Sequence, residues 1–175
     1  MRLHGSHPFL RAIVLLLLLA LPGRVDAAEL PAAIQAALQR KILAFDRAAS
    51  GRTLRIVVVH RDDATKAHAS ELARELDKLG VSTQVVTPAL LKQVKEAPVA
   101  VYLVSNAPVP EVEEYCVQNR VLSFASDASL VKSGRLTVAL SIKDGRPEII
   151  LHLERARREG RDFSSDLLSL ATVIR

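Results

Sequence analysis

Two hydrophobic periods alternate along this chain. Short apolar runs occupy residues 54–60 (LRIVVVH), 99–104 (VAVYLV) and 121–124 (VLSF), the second of them nearly unbroken as in a strand covered on both faces, and the more polar residues 81–87 (VSTQVVT) read as a further strand. Between them the spacing changes to a helical one. Ala69, Leu72, Ala73, Leu76 and Leu79 form one stripe of a helix from about Ala64 to Leu79, with Gly80 as its stop. Residues 88–95 predict a short helix after Pro88, and Glu111 to Asn119 a further one with acidic residues in its first turn. Ahead of the first strand, Pro31 opens a helix, and Ile34, Ala37, Leu38, Ile42 and Phe45 recur at helical spacing as its expected buried stripe. Strands and helices alternating this closely imply a single α/β domain with a mainly parallel, Rossmann-like sheet and flanking helices.

From residue 135 onward the pattern changes to an antiparallel one. Leu136, Val138, Leu140 and Ile142 alternate along a strand, Asp144-Gly145 supplies a two-residue type I′ turn, and residues 147–152 return. That loop sets Leu140 opposite Ile149 and Val138 opposite Leu151, so both strands bury the same face. A last helix starts at Ser164 as N-cap, with Phe163 and Leu168 at the spacing of a hydrophobic staple. Leu167, Leu170, Ala171 and Ile174 share one side of it. So wide an apolar surface implies a helix packed in the core or forming a homodimer seam, with Leu168 as a partner-facing residue.

The segment around this hairpin also carries a resemblance. Asp127 and Gly134 before it, then Leu151, His152, Leu153, Ala156, Gly160, Phe163, Ser164, Ser165, Leu167, Leu168, Leu170 and Ala171, follow the closing pattern of the YfiR-like family of periplasmic regulators. Two positions depart from it: His152 stands where the family has Asn, and Ser133-Gly134 where it has two glycines. The resemblance implies a regulatory protein without a reaction of its own. Its expected partner is the periplasmic part of an inner-membrane diguanylate cyclase or a sensor kinase, and its output cyclic-di-GMP-dependent biofilm behaviour. Family members are described as using disulfides. Cys116 is the only cysteine here, so this chain cannot form one within itself, and a buried small hydrophobe is the expected role of Cys116.

The first residues read as a secretory signal. Arg2 and Arg11 precede a ten-residue apolar run, Ala12 to Leu21, and Val25-Asp26-Ala27 suits cleavage before Ala28. The run is about half the roughly 20 residues of a membrane span. A signal over residues 1–27 and one domain over 28–175 are therefore expected, with the periplasm as the destination and no stable membrane span after cleavage. Cleavage removes Arg2, Arg11, Arg24 and Asp26, which lowers the net charge from +5 to +3. So mild a charge, with no Trp and two Tyr, argues against a nucleic-acid partner.

Composition and motifs supply little chemistry. The glycine-rich nucleotide loops, the zinc-protease helix, the nucleophile elbow and paired Cys-x-x-Cys are all absent from the sequence, and the histidines lack carboxylates or thiols at metal-ligand spacing. No catalytic residue, cofactor or metal is therefore expected. A phosphate-accepting receiver is excluded because the third strand ends in Ser105-Asn106 and not in Asp. In a parallel sheet, ligands favour the carboxyl ends of strands, where this chain carries His60, Asp62, Ser105, Asn106 and Asp127. This rim would serve the alternative reading, a solute-binding component of a transport or sensory system; against it, Asp62 and Asp63 are natural helix caps and Ser and Asn are ordinary loop residues. Arg155, Arg158 and Arg161 form a basic cluster, expected to be a solvated face that serves partner binding and not folding.

Overall fold

The computed structural model describes residues 30–175; the expected signal segment lies outside them. Seven strands form one sheet in the order β2-β1-β3-β4-β5-β6-β7. Strands β1 (Arg55–His60), β2 (Ser82–Val86), β3 (Ala100–Val104), β4 (Leu122–Ala125) and β5 (Val138–Lys143) are mutually parallel, and β6 (Arg146–His152) runs antiparallel to β5. This is the single, mostly parallel α/β domain that the alternating periods imply.

Alternation along each strand builds two cores. Ile56 and Val58 of β1 with Tyr102 of β3 and Phe124 of β4 face α1 (Ala32–Ala44) and α2 (Asp63–Lys78). Val57, Val59, Val101 and Leu103 point the other way, against a 3₁₀ segment (Pro88–Gln93), α3 (Pro110–Gln118) and α4 (Ala128–Lys132). Both faces of β1 and β3 are thus sealed, which is why those strands read as continuous apolar runs.

The hairpin forms with the expected register, Val138 against Leu151 and Leu140 against Ile149. Asp144 and Gly145 have φ of 51° and 73°, the pair of positive values a type I′ turn needs. The strand nevertheless starts at Val138, three residues later than expected. Leu136 packs in the opposite core from Val138, and Ile142 is exposed.

Three expectations are corrected. On α1 the buried face is Ala32, Gln35, Ala36, Gln39, Ile42 and Leu43, so Ile34 and Ala37 point outward and Leu38 and Phe45 are only partly covered. The last helix, α6, spans only Ser165–Leu170; the chain then extends as β7 (Ala171–Ile174), parallel to β6, with Ile149 against Ala171 and Leu151 against Val173. Leu167 and Leu170 therefore do not continue a helical stripe into Ala171 and Ile174: Leu167 is buried and Leu170 is 60% exposed. Three consecutive β-branched residues, Thr172, Val173 and Ile174, favour the open edge of β6 over another helical turn. Finally, the basic cluster is not one solvated face: Arg155 of α5 (Leu153–Arg158) and Arg161 beyond it are buried at 4% and 6% exposure, while Arg158 stays exposed.

Candidate functional site

The rim residues do gather at one end of the sheet. Strands β1, β3 and β4 are parallel neighbours, so His60, Ser105 and Ser126 leave their strands on the same side. Because β2 lies on one flank of β1 and β3 on the other, the junction of β1 and β3 is the topological switch point.

Local backbone groups occupy most of this chemistry. Asp62 caps α2 through a capping box: its carboxylate accepts from Thr65 N at 2.9 Å, and Thr65 Oγ1 accepts from Asp62 N at 3.1 Å. The bond from the Thr65 backbone holds the Asp62 carboxyl below its usual range. Asp127 caps α4 more simply, accepting from Ser129 N at 2.7 Å. Ser105 closes on its own loop, with its hydroxyl bonded to both the carbonyl and the N–H of Ala107. Ser126 ties the ends of β3 and β4 by donating to Ser105 O and accepting from Ser105 N. His60 Nδ1 lies 3.2 Å from Asp62 O. Asn106 is exposed at the loop tip. The rim is thus a set of satisfied caps and turns.

The more elaborate polar assembly is one that sequence reasoning placed on the surface. Glu159 is fully buried, and its two carboxylate oxygens accept from Ser123 N (2.9 Å), Ser123 Oγ (2.6 Å), Thr137 Oγ1 (2.7 Å) and Arg155 Nε (2.8 Å). Thr137 N donates to Ser123 Oγ at 2.8 Å, so the mouth between β4 and β5 is closed by side chains where the ladder has not yet begun. Arg155 Nη2 also donates to Glu113 O of α3 at 2.6 Å. One ion pair therefore joins α5, α3, β4 and the approach to β5. Cys116 lies beside it, buried as expected; burial pushes its thiol well up, and the nearby Glu159 charge adds to that.

A second buried pair joins the two ends of the described chain. Arg161 donates through Nε (2.8 Å) and Nη2 to Asp46 and through Nη1 to Arg120 O at 2.9 Å. Asp46 also caps the turn after α1 by accepting from Ala48 N. Backbone bonds between Arg47 and Asp162 and between Ser164 and Phe45 complete the clamp.

Of the predicted partner-binding residues, Arg158 is exposed on α5, beside a groove of about 230 Å³ that it lines with Glu114, Gln118 and Arg155. Leu168 is half-buried against the core, and Ser164 caps α6 by accepting from Leu167 N. A second groove, of about 220 Å³ and mostly apolar, runs between α1, β6 and α6, with Leu38, Ile149 and Leu170 among its walls. His152 lies against Gly134, the glycine retained from the family pair. His152 caps α5, accepting from Arg155 N at 3.3 Å, and its ring covers Gly134 so closely that a Cβ there would lie 3.0 Å from Nε2. Among the described residues no cluster of His, Cys, Asp and Glu suits a metal ion, and no helix is long and apolar enough to cross a membrane.

Against known proteins, the sequence model of the family described as YfiR/HmsC-like matches residues 32–172. No curated protein sequence matches the chain. Among solved structures, the ABC domain in complex with L-Trp from Streptococcus pneumonia is similar, at TM-score 0.63 and 12% identity over 82% of this chain and 62% of that one. A conserved domain protein from Vibrio cholerae O1 biovar El Tor gives TM-score 0.59 and 16% identity over 83% and 60%. The chain thus spans less than two thirds of either neighbour, and at these identities the likeness is one of fold.

Proposed function

The chain belongs to the YfiR/HmsC-like family, and from that membership we propose that it is a non-enzymatic periplasmic regulator that holds an inner-membrane diguanylate cyclase in check by contact with the cyclase's periplasmic part. Cyclic-di-GMP levels and biofilm formation are the outputs. The observation that carries this reading is the family match over residues 32–172, nearly the whole described chain. In support, the polar groups at the switch point are engaged as helix caps and turns, which leaves little there to act on a substrate.

Exposed Arg158 and half-buried Leu168 are the contact residues in this reading; Arg155 and Arg161 are buried and serve the fold. Deleting the gene should raise cellular cyclic-di-GMP, and the purified chain should bind the periplasmic domain of a cyclase encoded nearby. Unchanged cyclic-di-GMP in the deletion strain, with no binding to such a domain, would remove the reading.

The L-Trp complex of a similarly folded domain favours a second reading, solute binding at the rim formed by His60, Asp62, Ser105, Asn106 and Asp127. Calorimetric titration with amino acids, L-Trp included, tests it. Heat of binding that disappears in Asn106→Leu would place a solute at that rim, while the absence of any heat would dismiss this alternative.

A further inference from the structure

Helix α1 seals the sheet with Ala32, Ala36, Ile42 and Leu43, and turns two glutamines inward among them. Gln35 and Gln39, one turn apart, are buried, whereas Ile34 on the neighbouring face is 42% exposed. Gln35 has a partner at each polar atom: its Nε2 donates to Leu30 O at 2.6 Å, and its Oε1 accepts from the Tyr102 hydroxyl of β3 at 2.9 Å. Gln39 does not. It is wholly buried, and neither its Oε1 nor its Nε2 finds a hydrogen-bond partner among the described residues. A carboxamide has several hydrogen bonds to satisfy, and water serves them all in the open state, so docking α1 carries an uncompensated desolvation cost at this one position.

The two ends of the helix are held differently. Past its C-terminal end, the Arg161–Asp46 pair and the backbone bonds of Phe45 and Arg47 pin the chain to residues 161–164. Toward the N-terminal end, Leu30, Ala32 and Ala36 pack into the core, and the side-chain hydrogen bond from the helix to the sheet is the neutral one between Gln35 and Tyr102, with no ion pair beside it among the described residues.

We propose that α1 is a hinged flap. It pivots about Phe45–Arg47, and its N-terminal turns leave the sheet when the Gln35–Tyr102 bond opens. Opening hydrates Gln39 and uncovers the sheet face around Tyr102. Such an opening lies below global unfolding, and any ligand that prefers the uncovered face shifts its population. The flap rests on the packing of α1 alone and is independent of the regulatory reading.

Hydrogen exchange on the purified full chain, followed by mass spectrometry, tests it. Amides of residues 34–42 should exchange at least tenfold faster than those of β1 and β3 beneath them. Gln39→Leu, close in volume and free of the unmet polar atoms, should slow exchange in α1 by tenfold or more, and Tyr102→Phe should accelerate it. If wild-type α1 exchanges as slowly as β3, the helix opens only with the whole fold and the proposal fails. It fails equally if Gln39→Leu leaves α1 exchange unchanged or speeds it, since that is the behaviour of a carboxamide satisfied by an internal water. Should Gln39→Leu not fold, Gln39→Met takes its place, and the wild-type comparison stands in either case.

Discussion

Replacing Glu159 by Gln tests the central claim about the basic segment, that Arg155 belongs to the core. The substitution keeps shape and volume while removing the charge that Arg155 Nε faces at 2.8 Å. Arg155 is only 4% exposed and cannot turn to water without dragging α5 from its seat, so its guanidinium is left as a buried charge without a counter-ion. Breaking a buried pair in this way costs about 3–5 kcal/mol. In addition, Ser123 N, Ser123 Oγ and Thr137 Oγ1 all donate to the carboxylate, and an amide presents one acceptor oxygen where there were two. Against a net stability of about 5–15 kcal/mol, the loss is a large fraction. At about 2–4 °C per kcal/mol for a domain of this size, melting should fall by roughly 6–20 °C. Calorimetry or circular dichroism on wild type, Glu159→Gln and Arg158→Glu makes the comparison. The exposed Arg158 should shift stability by no more than about 0.5 kcal/mol. A Glu159→Gln protein melting within 2 °C of wild type would refute the argument, because it would mean that the pair is solvated.

Three further outcomes are expected. Asp46→Asn strips Arg161 of its counter-ion and should cost about 3–5 kcal/mol by chemical denaturation; a change under about 1 kcal/mol would show that the clamp between residues 45–47 and 161–164 does not hold the fold. Leu167→Ala should cost about 2–5 kcal/mol because Leu167 is buried, whereas Leu170→Ser should stay within about 0.5; equal losses would restore the longer helix expected from periodicity. The Glu148 carboxyl is held below its usual range, chiefly by the hydrogen bond from Thr172 of β7, so its contribution to stability is present above the ordinary carboxylate range and is lost as pH falls through the depressed value. Thr172→Val should therefore raise the Glu148 titration midpoint in a carbon-detected NMR titration, and an unmoved midpoint would mean that β7 does not lie against β6 as described.

What the chain's own order of residues determined was wherever neighbours in sequence settle the geometry. Asp144-Gly145 can adopt the two positive φ values of a tight turn, and the alternation on either side permits one register, so the hairpin follows from about a dozen residues. Capping by Asp62 and by Ser164 is legible for the same reason, since donor and acceptor lie three residues apart. The apolar runs of β1 and β3 likewise announce strands buried on both faces.

Tertiary structure alone decided the rest, and it did so where a residue's partner lies far along the chain. A run containing Arg155, Arg157, Arg158 and Arg161 looks uniformly solvated; only the fold brings Asp46, 115 residues away, to Arg161, and Ser123 and Thr137 to the carboxylate that neutralises Arg155. The helical periodicity of Leu167 and Leu170 continues plausibly to Ile174, yet the unpaired edge of β6 offers backbone partners that no local window contains. On α1 the apolar period pointed to Ile34 and Leu38, while the face that packs carries Ala36, Ile42 and Leu43 together with Gln35, whose partner Tyr102 lies 67 residues away. Spacing within a segment reports which groups can meet locally. Whether a charge, a strand edge or a helix face is buried depends on surfaces assembled from distant segments, and that burial is what moved two of the predicted contact arginines from the surface into the core.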